Sequence, residues 1–398
     1  MKGTAFNYFE DRCLILSRFI KANTKILIEI LTDYEPYNVA VNEIKVATDT
    51  LDNIDMQKEY LTEQQFNISV FLPINLPLFS IILFAIIPSF FSTSVYVRVP
   101  ILARNIVEII FKHLKIEELF SEIKLVNIER AAFIEKYIKK SEVVVFIGKY
   151  QNAIEIMKKC HKDTLFLHNG SGINPIVVGK DANIQIAVSK TIKARIFNSG
   201  QDCAAPNVIF VDKNFAKDFY KHLIISLKKV KVGSYKNKKV SIGKVIDHEN
   251  LFYICKFLTK HKDDIVFGGE INFKTNIIHP TVIVKEMDNN ATYGEFLAPI
   301  FYINVYNKDA DMIEFFHSTY YLKHSMYVSV FGKLDFIYAI KKSIILDEKI
   351  VLDIENGNYE FGGYSLEASF VAINKEIIAK PILISREIFN HMIKKQLL

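Results

Sequence analysis

The sequence is poor in cysteine, with four in 398 residues. These are Cys13, Cys160, Cys203 and Cys255, and no two form a CxxC pair or lie at zinc-ligand spacing from a histidine. A disulfide framework and a structural metal site are therefore not predicted, and a reducing cytoplasm is the expected compartment. The N-terminus carries acidic residues and lacks the apolar core and cleavage site of a signal peptide.

The chain also lacks an uninterrupted apolar run long enough to cross a bilayer. The segment from Ser69 to Val97 has no charge, but Pro73, Pro77 and Pro88 divide it. Because a span needs ~20 consecutive apolar residues, we expect a buried helix near Leu78–Phe90 and no transmembrane segment. The mean hydropathy of +0.16 leaves peripheral attachment to a membrane open.

A strong charge imbalance is missing as well. The 50 basic and 44 acidic residues give a net charge of +6 without a dense basic stripe, so nucleic acid is not an expected partner. Half of the residues are hydrophobic and 24% are charged, which is typical of a packed globular protein. The length favours two or three domains.

The order of apolar segments predicts an α/β protein. The first sixty residues have helical periodicity, and from Phe66 short β-rich runs alternate with helical stretches. A second block of the same kind extends from Asn174 to about Glu355. Continuous apolar strands separated by helices indicate parallel sheets that are covered on both faces. We therefore expect two α/β domains with a cleft between them.

Cys203 is the first candidate for chemistry. It lies in FNSGQDCAAP, residues 197–206, where a loop containing the flexible Gly200 leads into the predicted strand NVIFVD. A cysteine at such a junction can present its sulfur to a cleft. Taken alone, however, a lone cysteine is more often a small buried hydrophobic residue.

Six segments together resemble the aldehyde dehydrogenase superfamily, in motif and in order. FNSGQDC matches N-x-G-Q-x-C through Asn198, Gly200, Gln201 and Cys203. The other five are PINLPL for P-W-N-F-P-L, VYVRVP for the strand that meets the adenosine ribose, VVVFIGKYQNA for F-T-G-S-T-x-x-G, GEFLAPIF for E-x-F-G-P-V, and EFGGY for P-F-G-G-Y. The segments span residues 73–364, most of the chain.

The resemblance implies a catalytic role for several residues. Cys203 would be the nucleophile, and Asn75 would donate to the oxyanion that forms when the thiolate attacks a carbonyl carbon. NAD or NADP is the implied cofactor, with Arg98 and Glu295 on its riboses and Gly200 leaving room for the nicotinamide. The implied cofactor-binding residues are Arg98, Phe146, Gly148, Lys149, Gly200, Glu295 and Leu297. Lys149 replaces a small residue of the family turn, and it either contacts a phosphate or is solvated.

The resemblance also implies a fold and an assembly. It predicts an aldehyde dehydrogenase-like α/β fold, with a Rossmann-type cofactor domain, an α/β catalytic domain and a small β oligomerisation element. The predicted ranges are 1–172 for the N-terminal helices and a dinucleotide-binding domain shorter than the family's at its start, 173–366 for the catalytic domain, and 367–398 for the tail. The tail segment KPILISRE resembles the family's oligomerisation strand, so a homodimer or homotetramer is expected.

One departure from the family pattern concerns proton transfer. Hydrolytic members carry a glutamate in E-L-G-G-K-x-P, and alignment on Pro175 puts Asn169 at that position, 203 − 169 = 34 residues before Cys203. An amide cannot act as a general base at neutral pH. The neighbouring His168 has a suitable pKa to substitute, but a strand histidine that points elsewhere is the favoured interpretation.

Three functional hypotheses follow from this pattern. The first is an NAD(P)-dependent oxidoreductase that acts on a small-molecule aldehyde through a thiohemiacetal and thioester on Cys203. The second, favoured by Asn169, is an acylating enzyme or a reductase of an activated acyl group, with coenzyme A as a possible acyl acceptor. The third is a non-enzymatic relative, which altered residues such as Lys149 and Leu297 near the cofactor would support.

Overall fold

The computed structural model describes residues 2–62, 66–288 and 291–396, so the last two residues of the predicted tail lie outside it. The first half contains helices α1 (Lys2–Ala22), α2 (Thr24–Leu31), α3 (Tyr37–Asp52), α4 (Pro77–Ile81), α5 (Ile87–Ser89), α6 (Arg104–His113), α7 (Ile116–Leu119), α8 (Arg130–Lys136) and α9 (Tyr150–Met157). The second half contains α10 (Ile184–Ile196), α11 (Lys213–Leu227), α12 (His248–Lys260), α13 (Asp309–His317), α14 (Thr319–His324) and α15 (Ile384–Gln396). The helical start predicted from sequence is confirmed.

The first sheet is mostly parallel and has seven strands. Its N-terminal strands are β1 (Phe66–Phe71), β2 (Ser92–Arg98), β3 (Ile123–Leu125), β4 (Val143–Ile147) and β5 (Leu165–Asn169). From β1 the chain adds β2 and β3 on one side, and β4 and β5 on the other. The direction of winding therefore reverses between β1 and β4, and in open parallel sheets ligands bind beyond the carboxyl ends of strands at such a switch point.

The second sheet also has seven strands and forms the other domain. Its strands are β6 (Ile176–Val178), β7 (Ile209–Asp212), β8 (Ile265–Phe267), β11 (Thr281–Glu286), β12 (Ile300–Tyr306), β13 (Tyr327–Phe331) and β14 (Ile344–Asp347), in the order β14-β13-β6-β7-β12-β11-β8. The short strands β9 (Ile271–Asn272) and β10 (Ile277–Ile278) form a separate hairpin. Only β8 is antiparallel to its neighbour in this sheet. The predicted pair of α/β domains is thus confirmed.

The C-terminal tail differs from the expectation. Strands β15 (Ser369–Ile373) and β16 (Glu376–Ala379) extend the first sheet beyond β5 of the same chain. The strand predicted at KPILISRE is wrong, since Ile384 begins α15, whose Ile388 and Met392 are buried in the core of the first domain. A short apolar run has no periodicity that separates a strand from a buried helix.

The apolar segment that follows β1 is a buried helical stretch, as predicted. It comprises α4, a π-helical turn over Ile82–Ile86, and α5. Its side chains pack in the core of the first domain. Within the described ranges, none of the helices combines the length and apolar character that crossing a membrane requires.

Candidate active site

The loop that carries Cys203 follows α10 through a strained turn. Asn198 and Ser199 have φ of 47° and 58°, a left-handed conformation uncommon for residues with side chains. Hydrogen bonds hold this conformation, because Ser199 Oγ lies 2.8 Å from the Tyr235 hydroxyl and the Gly243 N–H donates to the same Oγ at 2.9 Å. The turn is fully buried, so it fixes the path of the loop that leads to Cys203.

Arg195 and Asn174 hold the two sides of this loop, and the sequence analysis missed both. Arg195 is 1% exposed, and its guanidinium donates to the carbonyls of Gly200 at 2.6 Å and Pro206 at 2.8 Å. Asn174 donates to the Cys203 carbonyl at 2.9 Å. The available signal in the sequence was the position of Arg195, eight residues before Cys203.

Cys203 lies where two cavities meet. The first, the cationic cleft, has a volume of about 330 Å³ and opens beyond the carboxyl ends of β1, β2 and β4. The second, the apolar cavity, has a volume of about 140 Å³ and lies between the 77–89 helical stretch and the 351–361 loop. Besides Cys203, both cavities are lined by Pro73, Asn75, Ile147 and Gly170.

Asn75 lies on the loop after β1, close to the cysteine. Its side-chain amide donates to the Gln201 carbonyl at 3.5 Å, which is a long hydrogen bond. The Tyr34 hydroxyl donates to the adjacent Ile74 carbonyl, and the buried Glu43 accepts from the Phe79 N–H at 2.9 Å. The first helices therefore fix the loop that brings Asn75 to Cys203.

Asn169 and His168 are neighbours on β5 but lie on opposite faces of the sheet. Asn169 lines the apolar cavity, and its amide donates to the Phe361 carbonyl at 3.4 Å. His168 is completely buried beside Phe146 and Phe370, and it lines neither cavity. Burial lowers the pKa of His168 to about 4, although the Phe146 and Glu367 backbones partly oppose this shift. Successive side chains of a strand alternate between faces, so only one of the two can reach the site.

The cationic cleft gathers six of the seven residues predicted to bind the cofactor. They are Arg98, Phe146, Gly148, Lys149, Glu295 and Leu297. Gly200 lies outside both cavities. A Cβ at Gly200 would lie 2.4 Å from the Ala298 carbonyl carbon, and its φ is +82°, so close backbone packing accounts for this glycine.

Basic residues outnumber acidic ones in the wall of the cationic cleft, whose carboxylates are Asp247 and Glu295. Arg98, Arg130 and Lys149 line it, and burial together with repulsion by Arg104 and Arg130 lowers the pKa of Arg98. The Arg98 Nε is buried and has no hydrogen-bond partner among the described residues. A guanidinium without an ion pair among the described residues, at a sheet switch point and with the apolar Phe71 and Phe146 beside it, fits an anionic dinucleotide.

The surroundings of Cys203 are acidic. Burial raises the pKa of the Cys203 thiol well above its ordinary value, and Asp202, Glu295 and Glu355 raise it further. The Asp202 carboxylate is hydrogen-bonded to this thiol, and burial raises the pKa of Asp202 as well. The cysteine is therefore a neutral thiol at neutral pH, and a reaction at its sulfur has to begin with removal of the proton.

The apolar cavity carries no positive charge. Among the described residues that line it there is no lysine, arginine or histidine, and its carboxylates are Asp202, Glu355 and Glu360. Its large apolar side chains include Leu76, Phe79, Leu83, Phe84, Ile87, Val351, Leu352, Ile354, Phe361, Ile382, Leu383 and Ile384. The sequence analysis did not identify Glu355, since a single glutamate in a polar loop has no distinguishing pattern.

Comparison with known proteins agrees with this geometry. The model of the aldehyde dehydrogenase family matches residues 128–332. A lactaldehyde dehydrogenase of Methanocaldococcus jannaschii is 28% identical over 234 residues, covering 58% of this chain and 46% of that protein. A beta-apo-4'-carotenal oxygenase of Neurospora crassa is 29% identical over 167 residues, covering 42% of this chain and 31% of that protein.

Solved structures share the fold at lower sequence identity. Glyceraldehyde-3-phosphate dehydrogenase of Methanocaldococcus jannaschii, complexed with NADP, superposes with a TM-score of 0.78 at 18% identity over 96% of this chain and 91% of that chain. Succinate-semialdehyde dehydrogenase of Burkholderia pseudomallei gives a TM-score of 0.80 at 16% identity, covering 94% and 85%.

The fold and site define a class of two-domain α/β proteins with a cysteine between a dinucleotide-type cleft and a second cavity. Because the family model matches more than half of its residues, the chain belongs to the aldehyde dehydrogenase family. The chain matches about half or less of the length of its curated relatives.

Proposed function

We propose that this protein is an NAD(P)-dependent oxidoreductase that acts on the aldehyde group of its substrate through a covalent intermediate on Cys203. The observation that carries the proposal is the position of Cys203 at the junction of the cationic cleft and the apolar cavity. A nucleophile at that point faces a cofactor on one side and a substrate carbonyl on the other.

The residues at the junction support the chemistry of carbonyl addition. The Cys203 sulfur attacks the carbonyl carbon, and its proton passes to the hydrogen-bonded Asp202. The Asn75 amide, which lies against the cysteine loop, donates to the developing oxyanion. A bound oxidised nicotinamide would accept the hydride, which leaves a thioester on Cys203.

Six residues of the cationic cleft would hold the cofactor. Arg98 and Lys149 offer charge to its phosphates or ribose, and Gly148 allows a close approach of the chain beyond β4. Along with burial, Glu295 raises the pKa of the Cys203 thiol, and its carboxylate is hydrogen-bonded to Ser171. The neighbours complexed with NAD or NADP support this assignment, and the three cations favour the more anionic NADP.

The apolar cavity favours an uncharged aldehyde with an apolar chain. Its wall is built of leucine, isoleucine and phenylalanine side chains, and its charged groups are all acidic. A phosphate or carboxylate on the substrate would lose its hydration there without gaining a cation. Phosphorylated and carboxylated aldehydes are therefore expected to be poor substrates.

A second function, transfer of the acyl group to or from a thiol such as coenzyme A, is favoured by Asn169. This residue offers an amide at the position predicted for a general base, and the amide is hydrogen-bonded to the Phe361 carbonyl. In that case the thioester on Cys203 would exchange with the thiol, and the same residues would serve reduction of an activated acyl group to an aldehyde.

The test is a stopped-flow experiment with hexanal, with NAD or NADP, and with or without coenzyme A. We expect a burst of reduced nicotinamide equivalent to the sites, and Cys203→Ala should lose the burst and at least ~10⁴-fold of turnover while keeping cofactor affinity. Acceleration of turnover by coenzyme A would select the acyl-transfer function. A Cys203→Ala variant that retains the burst would contradict both functions.

A further inference from the structure

Release of the acyl group from Cys203 requires a proton acceptor. Water or a thiol loses its proton as it bonds to the thioester carbonyl carbon, and the Cys203 sulfur leaves as a thiolate. Asn169 cannot take that proton, because its amide has no basic site and is bound to the Phe361 carbonyl. His168 is buried on the other face of the sheet and lines neither cavity.

Three carboxylates line the apolar cavity, and two of them are engaged. Asp202 accepts the Ala204 N–H at 3.0 Å, and in the proposed function it has already taken the proton of the Cys203 thiol before the acyl group is released. Glu360 is exposed, and its carboxylate forms an ion pair with Arg386 at 2.6 Å. Glu295 lines the cationic cleft instead of this cavity, so it lies on the cofactor side of the sulfur.

Glu355 is the remaining carboxylate on the substrate side of Cys203. It is half-buried in the loop before Phe361, lines the apolar cavity and is absent from the wall of the cationic cleft. The Asn42 side chain of α3 is hydrogen-bonded to its carboxylate. Glu355 is therefore oriented by a neutral donor and carries no cation that would weaken it as a base.

We propose that Glu355 is the proton acceptor that activates the acyl acceptor, water or thiol, for release of the acyl group from Cys203. The inference rests on the proposed function. The acceptor's O–H or S–H bond breaks and its proton goes to Glu355, while the new bond to the acyl carbon forms and the C–S bond breaks. Glu355 then returns the proton to solvent through the cavity.

The charges around Glu355 suit this role. Asp202 faces it from the cysteine loop, Glu43 faces it from α3 with the buried Glu35 behind, and Cys203 lies across the cavity. Burial, then Asp202 and Glu43, raise the pKa of Glu355 to about 7, against the opposing Asn42 hydrogen bond. A base with a pKa near the working pH is the most efficient proton acceptor.

The experiment compares full-length wild type with Glu355→Gln, using the cofactor and hexanal, and water or coenzyme A as acceptor. We expect an unchanged burst of reduced nicotinamide, because hydride transfer precedes acyl release, and a steady-state rate lower by ~10²–10⁴-fold. Intact-protein mass spectrometry should show the acyl group accumulating on the variant. The exposed Glu376 of β16 provides the matched control, and Glu376→Gln should behave as wild type.

The pH profile separates a chemical role from a structural one. Because the base acts in its ionised form, the wild-type steady-state rate should rise with pH through about pH 7. Glu355→Gln should lose this ascending limb of the pH profile. Asn42→Ala keeps the carboxylate but removes the hydrogen bond that lowers its pKa, so its limb should move to higher pH. This second variant keeps the test decisive if Glu355→Gln does not fold.

The possible failures are distinct. Wild-type turnover in Glu355→Gln with an intact pH limb would overturn the proposal, and so would loss of the burst along with turnover in a folded variant. An unmoved limb in Asn42→Ala would also count against it. A wild type that gives no burst with any aldehyde would overturn the proposed function itself, and this inference with it.

Discussion

The cationic cleft and the apolar cavity share the Cys203 sulfur and the Asn75 amide but differ in charge. Three cations, Arg98, Arg130 and Lys149, outnumber two carboxylates in the wall of the cleft, whereas the described wall of the cavity has only acidic charges. Each cavity can therefore select its ligand by charge before any chemistry takes place. We therefore expect an anionic dinucleotide to enter the cleft and an uncharged aldehyde to enter the cavity, so that the two ligands approach the sulfur from opposite sides.

The difference arises from the two kinds of structure that build the cavities. The cleft lies beyond the ends of three parallel strands. There, Phe71 of β1 is paired with Arg98 of β2 on one side and with Phe146 of β4 on the other. The cavity lies between a buried helical stretch and a loop, and α3 contributes the acidic Glu43 behind it. Strand register fixes the position of Arg98, while side-chain packing shapes the cavity.

Among the three substitutions that test this comparison of the two cavities, the largest effect is expected at the shared residue Asn75. Asn75→Ala removes the oxyanion donor and should lower kcat by ~10²–10³-fold, with little change in cofactor Kd or aldehyde KM, because neither ligand depends on this amide in the ground state. Pre-steady-state measurement of the burst rate tests this. Asn75→Asp preserves the size but not the donor, so it should be no better than alanine, and a near-wild-type burst in it would contradict the oxyanion role.

An intermediate effect is expected on the cofactor side, at Arg98. Arg98→Ala removes a charge-assisted contact worth ~1.5–3 kcal/mol, so cofactor Kd should rise by roughly 10–100-fold with aldehyde KM nearly unchanged. Calorimetry or the fluorescence of the reduced cofactor can measure this, and the absence of tryptophan keeps the protein background low.

Arg98→Lys is the matched control for charge, and we expect it to recover part of the affinity. The loss should be larger for NADP than for NAD if the cluster of three cations binds the additional phosphate. If wild type and Arg98→Ala bound each cofactor with the same affinity, the assignment of the cationic cleft as the cofactor site would be contradicted.

Much of the fold and the central part of the site could be predicted from the sequence. Alternating apolar runs gave the two α/β domains, and the resemblance identified Cys203 and Asn75, which the structure brings together. The tail was less predictable, because ILIS is too short to distinguish the start of α15 from a strand. Its helix is explained by burial of Ile388 and Met392 against the first domain.

The supporting residues of the site could not be predicted, for a physical reason. Arg195 and Asn174 act on backbone carbonyls, and such contacts leave no pairing of residue types in the sequence. The sequence favoured a His168 that points away from the site without giving a reason, and the strand geometry of β5 supplies one, because His168 and Asn169 lie on opposite faces. Besides burial, the pKa of Glu355 depends on two acids, Asp202 and Glu43, and on the Asn42 amide, all of which are distant from it in sequence.

The smallest effect is expected on the substrate side, at Leu83 of the π-helical turn. Leu83 is half-buried and lines the apolar cavity, so Leu83→Lys would give that wall its first cation. Because a partly screened ion pair is worth ~1 kcal/mol, we expect kcat/KM for the semialdehyde of adipate relative to hexanal to rise roughly fivefold. Leu83→Met, similar in volume and uncharged, should leave the ratio unchanged. If wild type already preferred the carboxylated aldehyde, the charge difference between the two cavities would not govern substrate choice, and the acidic wall would instead belong to proton transfer alone.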